Sequence, residues 1–339
     1  MKNGLLVYST NRENNLFNIG DYIQSIAARQ FFDNQIDIFV NRENLHCDFE
    51  QDIKIILNGW FMHEGKNWPP HDKVHPLFIS FHINKLVYQF FSNEKSLNYF
   101  KKHQPIGCRD QSTVDFLKCY GIDAYFSGCL TLTLGETYKN KGNGKDIIFV
   151  DPCTDKDVNL KTVLKSFKNL VFNVSKMVKL NKKMGSKLSI RALFQASYFY
   201  NTYSQLFSDD VLLNAKYIQH LLNDDFKNDE AKFLFAETLL NQYSSAKYIV
   251  TSRIHCALPC VAMNTPVLYI HNTNSSIVST CRLDGILDLL NVIEYQPGKL
   301  NFEKFFNEKL TNHSTFLNPN KHIDIVKNLV ETAKNFVLK

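Results

Sequence analysis

Arg253 and His255 place an anion-binding side chain and a proton carrier two positions apart. A guanidinium group is a planar fork that suits a carboxylate or a phosphate, and an imidazole exchanges protons near neutral pH. The surrounding pattern predicts a strand over Tyr248–Thr251, a helix over Ile254–Met263 and a strand over Val267–Ile270. Both side chains therefore lie where a strand ends and a helix begins. Ligands of open α/β sheets bind at that position, where the first helical amides favour an anion.

A second arginine has the same predicted position in the N-terminal half. Arg109 follows a strand around Ile106 and precedes a helix from about Ser112 to Tyr120. Arginine is rare in this chain, so its positions are informative; they are Arg12, Arg29, Arg42, Arg109, Arg191, Arg253 and Arg282. Two separated guanidinium groups in one cleft would suit a small ligand with two anionic ends. The alternatives are that Arg109 pairs with Asp110 and that Arg253 forms a structural ion pair.

Strands and helices alternate over residues 1–138, which predicts a first α/β domain. Its predicted strands are Gly4–Ser9, Ile36–Val40, Ile53–Leu57, Leu77–Phe81, Ile106–Gly107 and Asp123–Phe126. A helix is predicted from Tyr22 to about Phe32, with Asn18 and Asp21 at its start. The polar, glycine-containing segment Lys139–Lys145 is the predicted hinge to the next domain.

Residues 146–310 form the second predicted α/β domain. Ile147–Val150 and Leu170–Asn173 are predicted strands, in addition to the two that flank Arg253. The stretch from about Leu188 to Phe226 is aromatic and helical in character and could be an insertion. Residues 311–339 have apolar positions at helical spacing from about Ile323 to Val337, so we expect a C-terminal helix that could pack across the first domain.

The composition limits the classes of partner. The 339 residues are 44% apolar, and 39 basic against 33 acidic residues leave a net charge of +6, too small and scattered to indicate nucleic acid. No apolar run approaches the ~20 residues of a membrane span or the core of a signal peptide. The protein is therefore expected in the cytoplasm. Its eight cysteines form no CxxC pair and are expected to be buried free thiols rather than zinc ligands or disulfides.

Five motifs in order resemble the polysaccharide pyruvyl transferases. They are NIGDYIQSIAARQ at Asn18–Gln30, NGWF at Asn58–Phe61, GCRDQST at Gly107–Thr113, YFSGCLTLTL at Tyr125–Leu134 and TSRIHCALPCVAMNTPV at Thr251–Val267. The resemblance implies two Rossmann-like domains in a GT-B-like arrangement, with the active site in the inter-domain cleft, the N-terminal domain on the acceptor side and the C-terminal domain on the donor side. It also implies transfer of a pyruvyl group from phosphoenolpyruvate to two hydroxyls of a sugar in a cell-surface glycan precursor, with a cyclic ketal and phosphate as products.

The resemblance assigns roles to residues of these motifs. His255 and Arg253 are expected to be catalytic, with His255 moving the proton, and Arg109, Ser252 and Arg282 are expected to bind the donor together with Arg253. Phosphoenolpyruvate is the implied co-substrate, with no further cofactor and no metal. The alternative for His255 is a ring that only hydrogen-bonds a backbone carbonyl.

The acceptor is expected to contact side chains of the N-terminal half that can hydrogen-bond or stack on a sugar. The candidates are Asn18, Asp21, Gly59, Trp60, His63 and His82. Asn18 and Asp21 are also typical helix caps, and Gly59 could leave room for the backbone to approach a ligand. Core packing is the alternative for Trp60 and for His82.

Two other functions stay open from the residues alone. A nucleotide-sugar-dependent glycosyltransferase of the same fold would bind a diphosphate at the helix after Arg253. A non-catalytic glycan-binding protein could keep the fold, but binding alone has little need of the proton carrier His255.

A cluster of lysines lies in the middle of the second domain. Lys176, Lys179, Lys182, Lys183 and Lys187 alternate with apolar residues. One interpretation is a solvated helix face. The other is an interfacial helix that holds the enzyme at the inner leaflet of the cytoplasmic membrane, close to a lipid-linked acceptor.

Overall fold

Two parallel sheets form the framework of the chain. The computed structural model describes residues 1–10, 15–33, 35–142, 144–154, 160–274 and 281–339. Within these ranges the strands form two six-stranded sheets and a two-stranded ribbon. The predicted α/β class is therefore confirmed. Asn143 of the predicted hinge lies outside the described residues.

The strands and helices are numbered in chain order. The strands are β1 (Lys2–Val7), β2 (Leu16–Asn18), β3 (Ile38–Asn41), β4 (Ile53–Phe61), β5 (Val74–Ile83), β6 (Ile106–Cys108), β7 (Ala124–Phe126), β8 (Ile147–Val150), β9 (Lys216–Ile218), β10 (Leu221–Asn223), β11 (Tyr248–Thr251), β12 (Val267–Asn272), β13 (Asn291–Gln296) and β14 (Lys299–Asn301). The α-helices are α1 (Ile19–Arg29), α2 (Tyr88–Phe91), α3 (Glu94–His103), α4 (Gln111–Cys119), α5 (Leu160–Phe172), α6 (Val174–Lys183), α7 (Ile190–Tyr203), α8 (Asp209–Asn214), α9 (Asp229–Ser244), α10 (Ile254–Ala262) and α11 (Ile323–Leu338).

The two sheets share one strand order. The first runs β3-β1-β4-β5-β6-β7 with all neighbours parallel. The second runs β9-β8-β11-β12-β13-β14 and is parallel except for the last pair. In each sheet the first strand lies between the second and the third, so the strand order reverses beside it. Ligands of such sheets bind beyond the carboxyl ends of the strands at that reversal. The β1/β4 and β8/β11 pairs thus mark two places where a ligand could bind.

Local sequence explains the central elements. The four residues of β8 and the four of β11 are all buried, as expected for strands covered on both faces. Asn18 caps α1 because its side-chain oxygen accepts from the amide of Gly20 at 3.1 Å. Asp110 caps α4 in the same way, accepting from the amide of Thr113 at 3.0 Å.

The terminal helix α11 lies against the first sheet. Lys54 on β4 donates from Nζ to the carbonyl of Val337 at 3.1 Å, and Leu329 is buried. Gly128 has a φ of +71°, and an added Cβ there would lie 2.7 Å from Ile325 of α11. Glycine at this position therefore allows both the turn and the close approach of the helix.

Two predictions for the second half were wrong in part. Leu170–Asn173 was predicted as a strand, but its apolar residues belong to the end of α5, and a window of four residues is too short to distinguish the two periods. The aromatic stretch from Leu188 to Phe226 contains α7 and α8 as expected, but also β9, the edge strand of the second sheet. That stretch therefore contributes to the sheet itself.

Two other expectations concern cysteines and membrane spans. All eight cysteines are free, but Cys47 and Cys119 are exposed and Cys153 is half-buried, so only the remaining five fit the prediction of buried thiols. Among the described helices, none combines the length and apolar character that crossing a bilayer requires.

Candidate active site

A cavity of about 370 Å³ lies between the carboxyl edges of the two sheets. The first half contributes Tyr8, Ser9, Leu16, Phe17, Asn18, Asp21, Arg42, Trp60, His63 and Arg109. The second half contributes His220, Leu221, Arg253, Ile254, His255 and Arg282. The lining includes Tyr8, directly after β1, and Arg253, two residues after β11, so both strand reversals open into one space.

Of the six arginines in the described residues, four line this cavity, namely Arg42, Arg109, Arg253 and Arg282. Three of them lie at strand ends. Arg42 directly follows β3, Arg109 directly follows β6, and Arg253 is two residues after β11. Because the carboxyl ends of parallel strands meet at one edge of a sheet, residues distant in sequence converge here. The result is a strongly cationic cavity.

The four guanidinium groups differ in their partners. Arg42 pairs with Glu43 at 2.9 Å, and Arg253 donates from Nε to Asp151 at 2.8 Å. Arg109 and Arg282 form no ion pair with any described residue, and the Nε of each is buried without a hydrogen-bond partner there. A buried polar group without a partner is costly, and a buried charge more so. Arg109 and Arg282 therefore form an unneutralised pair that an anionic ligand would stabilise.

His255 lies beside this pair, in the first turn of α10. Its side chain is nearly inaccessible, and its Nε2 is 3.5 Å from Nη1 of Arg109. Burial, and then the charges of Arg109 and Arg282, hold the pKa of His255 well below its ordinary value. The ring is consequently neutral at pH 7 and can accept a proton but cannot supply one.

The amino-terminal turns of α1 and α10 meet next to His255. An added Cβ at Gly20 would lie 3.2 Å from Cβ and 3.3 Å from Nδ1 of His255, so only glycine allows this approach without a shift. The next residue, Asp21, faces the cavity. Burial raises the pKa of the Asp21 carboxyl above its ordinary value, although Arg42 and Arg109 act in the opposite direction. Asp21 is thus the group of the site with a tendency to keep its proton.

Aromatic rings form the other side of the cavity. The guanidinium carbon of Arg42 lies 5.0 Å from the ring centroids of both Tyr8 and Trp60, and the rings of Trp60 and His63 are 4.5 Å apart in an edge arrangement. Burial acts to raise the pKa of Glu43, but Arg42 and the backbone amides of His63 and Glu64 outweigh it and hold that pKa below its ordinary value. One buried ion pair thus fixes the aromatic wall on which a sugar ring could stack.

Three predicted site residues lie outside the cavity lining. The Ser252 hydroxyl donates to the carbonyl of Asp151 at 2.5 Å. Gly59 has a φ of +101° and faces α1, where an added Cβ would lie 2.6 Å from Oε1 of Gln24. His82 is buried, with Nδ1 2.6 Å from a carboxylate oxygen of Asp110. Because Asp110 contacts His82 and caps α4, the predicted alternative of an Arg109–Asp110 pair is not observed.

The other predicted residues do meet in the cavity. They are Asn18, Asp21, Trp60, His63, Arg109, Arg253, His255 and Arg282. Sequence reasoning did not single out Tyr8, Arg42 or His220 as site residues. For Arg42 a signal existed, because arginine is scarce and Arg42 follows a predicted strand. No local signal distinguishes His220, which lies between two short strands in a stretch that was expected to be helical.

His220 joins the two halves at the floor of the cavity. Its Nε2 lies 2.6 Å from the hydroxyl of Tyr243, and Nδ1 is buried with no hydrogen-bond partner among the described residues. Its amide donates to Asp151 at 3.0 Å, and its carbonyl accepts from the amide of Ile19 at 2.9 Å. The antiparallel pairing of β2 with β10 continues this connection. One residue therefore contacts both the partner of Arg253 and the start of α1.

A family model described as polysaccharide pyruvyl transferase matches residues 18–274, which is more than half of the chain. The chain belongs to the polysaccharide pyruvyl transferase family. The resemblance seen in the five motifs is thereby confirmed, and so is the prediction that the protein is a transferase enzyme. Pyruvyl transfer to a polysaccharide is the role that family membership assigns. Of the cavity residues, Tyr8, Ser9, Leu16, Phe17 and Arg282 lie outside the matched range.

Other comparisons add little to the pyruvyl transferase assignment. A structure of an uncharacterized protein from Klebsiella pneumoniae subsp. pneumoniae is 13% identical, covers 86% of this chain and 93% of its own, and superimposes with a TM-score of 0.43. No curated protein matches the chain. Within the described part of the pyruvyl transferase, no group of three or more His, Cys, Asp or Glu side chains is arranged to hold a metal ion.

Proposed function

We propose that this pyruvyl transferase uses phosphoenolpyruvate as donor and forms a cyclic pyruvate ketal on two hydroxyls of a sugar in a cell-surface glycan precursor. The observation that carries the proposal is the unneutralised pair Arg109 and Arg282 beside the neutral His255. Phosphoenolpyruvate has a carboxylate and a phosphate, so it supplies the two anionic ends that such a pair requires. The volume of about 370 Å³ falls in the ordinary range for small-molecule sites.

The donor is bound through its charges. Arg109, Arg282 and Arg253 offer guanidinium forks to the carboxylate and phosphate, and the first turn of α10 adds backbone amides. An anion that takes up hydrogen bonds of Arg109 weakens the 3.5 Å contact between Arg109 and Nε2 of His255. Donor binding therefore frees that nitrogen to accept a proton.

Proton transfer is divided between two groups. Asp21, whose pKa is raised by burial, donates a proton to the methylene carbon of the donor, which leaves cationic character at C2. His255, whose pKa is lowered by burial, accepts the proton of the first sugar hydroxyl as its oxygen bonds to C2. The C2–O bond to phosphate breaks, and the second hydroxyl closes the ketal. Its proton leaves on the phosphate, and the proton held by His255 returns to Asp21, which balances the reaction and restores both groups.

The acceptor occupies the aromatic side of the cavity. Trp60 and Tyr8 offer ring faces, while Asn18 and His63 offer hydrogen bonds to hydroxyls. These residues all belong to the first half, whereas Arg253, His255 and Arg282 belong to the second. This distribution, and the identical strand order of the two sheets, support a GT-B-like arrangement with an acceptor side and a donor side.

The direct test is product formation. The protein is incubated with phosphoenolpyruvate and a panel of galactosides, and mass spectrometry is used to detect an added pyruvate ketal together with released phosphate. Product that depends on a sugar nucleotide, with none from phosphoenolpyruvate, would overturn the proposal in favour of glycosyl transfer.

Two substitutions separate the proposed roles. Arg253→Lys keeps the charge but loses the fork and the Nε contact with Asp151, so the apparent KM for the donor should rise with a modest loss of kcat. His255→Gln keeps a polar side chain but cannot accept a proton, so kcat should fall by roughly 10² or more with donor affinity retained. Calorimetry on both variants measures donor affinity, and steady-state kinetics measure kcat and the apparent KM. A parental kcat in His255→Gln would remove the base assignment.

A further inference from the structure

The positive charge of the chain is concentrated in one segment. Residues 158–208 contain no acidic residue and nine basic ones, namely Lys161, Lys165, Lys168, Lys176, Lys179, Lys182, Lys183, Lys187 and Arg191. The net charge of the whole chain is only +6, so the remainder is net acidic. These basic residues lie on α5 and α6, between α6 and α7, and at the start of α7. The whole excess of positive charge therefore lies on neighbouring helices of the second half.

The same helices expose large apolar side chains. Leu164, Phe167, Val171 and Phe172 of α5, Val174 and Val178 of α6, and Leu188 and Ile190 near the start of α7 are between 36% and 78% exposed. We call these eight residues, together with the exposed basic residues Lys168, Lys179, Lys182, Lys183, Lys187 and Arg191, the basic apolar face. Most exposed apolar residues of a protein are scattered singly, so a concentration of this kind indicates an interaction surface.

The apolar residues follow the helical repeat and do not result from an incomplete core. Leu164, Phe167 and Val171 are spaced i, i+3 and i+7 and lie on one side of α5. The opposite sides of both helices are packed, because Ser166 of α5 and Met177 and Leu180 of α6 are buried. The exposed apolar residues therefore form a second apolar surface, separate from the one that packs against the domain.

The combination of positive charge and exposed apolar area indicates which kind of partner the basic apolar face would bind. A second copy of this chain would place like charges opposite one another, and nucleic acid would leave the aliphatic side chains, such as Leu164, Val171 and Ile190, without an apolar partner. A bilayer with anionic headgroups satisfies both, since lysines contact the headgroups while apolar side chains enter the acyl boundary. We propose that the basic apolar face docks the enzyme on an anionic membrane surface, where a lipid-linked acceptor would be located. The choice of acceptor rests on the proposed pyruvyl transfer; the docking itself does not.

Vesicle binding tests the docking. The full chain is sedimented with phosphatidylcholine vesicles that contain or lack phosphatidylglycerol, without donor or acceptor. We expect binding only to the anionic vesicles. Replacing Lys179, Lys182 and Lys183 with Gln should weaken binding ten- to a hundredfold, because each lysine near such a surface contributes ~5-fold. The variant Phe167→Ser/Phe172→Ser should weaken it by about tenfold or more through lost insertion.

Matched controls carry the same chemical changes elsewhere. Lys101→Gln/Lys102→Gln/Lys321→Gln removes an equal charge at exposed positions, and Leu86→Ser/Leu317→Ser removes exposed apolar groups. Both should bind like the parent. Equal losses in controls and face variants, no preference for anionic vesicles, or retention of nucleic acid or acidic protein in place of vesicles would overturn the proposal.

Catalysis separates this proposal from the previous one. All vesicle-binding variants should transfer pyruvate to a soluble saccharide as the parent does, because the face contains none of the cavity residues. Absence of pyruvyl transfer in the parent would refute the reaction and leave vesicle binding as measured.

Discussion

His220 should make the stability of the protein depend on pH in a way that one substitution removes. The side chain is completely buried at the floor of the cavity, and its Nε2 is 2.6 Å from the Tyr243 hydroxyl. Burial lowers the pKa of His220 from 6.5 to about 3, an effect to which Arg253 adds and which Asp151 opposes. The unfolded chain binds a proton at this residue as the pH falls below about 6.5, and the folded chain does not.

The sign and size follow from that difference. A folded-state pKa that is depressed gives stabilisation that is complete above the unfolded value and lost as the pH falls through the window from 6.5 to about 3. The loss is about 1.4 kcal/mol per pH unit for one group. Between about pH 6.5 and pH 4.5 it amounts to roughly 2.3 kcal/mol, or roughly 1 M in a urea midpoint.

The variant His220→Gln has no titratable side chain at this position, so its free energy of unfolding should lack this dependence on pH. It should be less stable than the parent at neutral pH by about 1–3 kcal/mol, because the contact with Tyr243 is weakened. The difference should shrink as the pH falls, and the urea midpoints of the two proteins should converge near pH 4.5. His313→Gln, at an exposed position, should follow the parent throughout. Parallel midpoint curves for parent and His220→Gln would refute the assignment of a buried, neutral imidazole.

Two further substitutions test the geometry of the site. Gly20→Ala adds a methyl group 3.2 Å from Cβ of His255; a shift of a few tenths of an ångström should lower kcat by roughly 3- to 10-fold, while the urea midpoint stays nearly unchanged because alanine favours the helix. Parental kcat in this variant would show that the ring position is not critical. Asp21→Asn removes the proposed acid, so kcat should fall by about 10²-fold or more, and the alkaline limb of the pH–kcat profile, set by the raised pKa of Asp21, should disappear. Persistence of that limb would assign it to another group.

Sequence reasoning worked where the deciding forces are local. The unit from Tyr248 to Ile270 was predicted almost to the residue, since short apolar runs, a helix start and a proline-containing turn specify it within a few positions. The positions of Arg109 and Arg253 after strands follow from the same local pattern, and both line the cavity. Parallel sheet edges then bring such positions together, whatever their separation in sequence.

Other features of the site depend on contacts between residues that are distant in sequence, and sequence reasoning could not predict them. Ser252 was a plausible anion ligand, but its hydroxyl is engaged by the carbonyl of Asp151, about a hundred positions earlier in the chain. Gly59 has a positive φ, and an added Cβ there would collide with Gln24 of α1, whereas its contact with the acceptor stays a prediction. His220 reaches the cavity through short strands whose pairing depends on tertiary contacts, which a pattern of period two over three residues cannot reveal.

Burial keeps the ring of His255 neutral, and it also makes an anionic partner favourable for the buried arginines Arg109 and Arg282. Burial, and then Arg109 and Arg282, depress the pKa of His255, and the two arginines themselves form no ion pair with any described residue. A carboxylate in contact with both arginines would neutralise them, but it would also raise the pKa of His255, so that more of the ring would already be protonated in the free enzyme and unable to accept another proton. Leaving the counter-charge to the substrate avoids that conflict. In the proposed mechanism, the free enzyme keeps His255 neutral, and the anionic donor supplies the negative charge when the sugar hydroxyl must lose its proton.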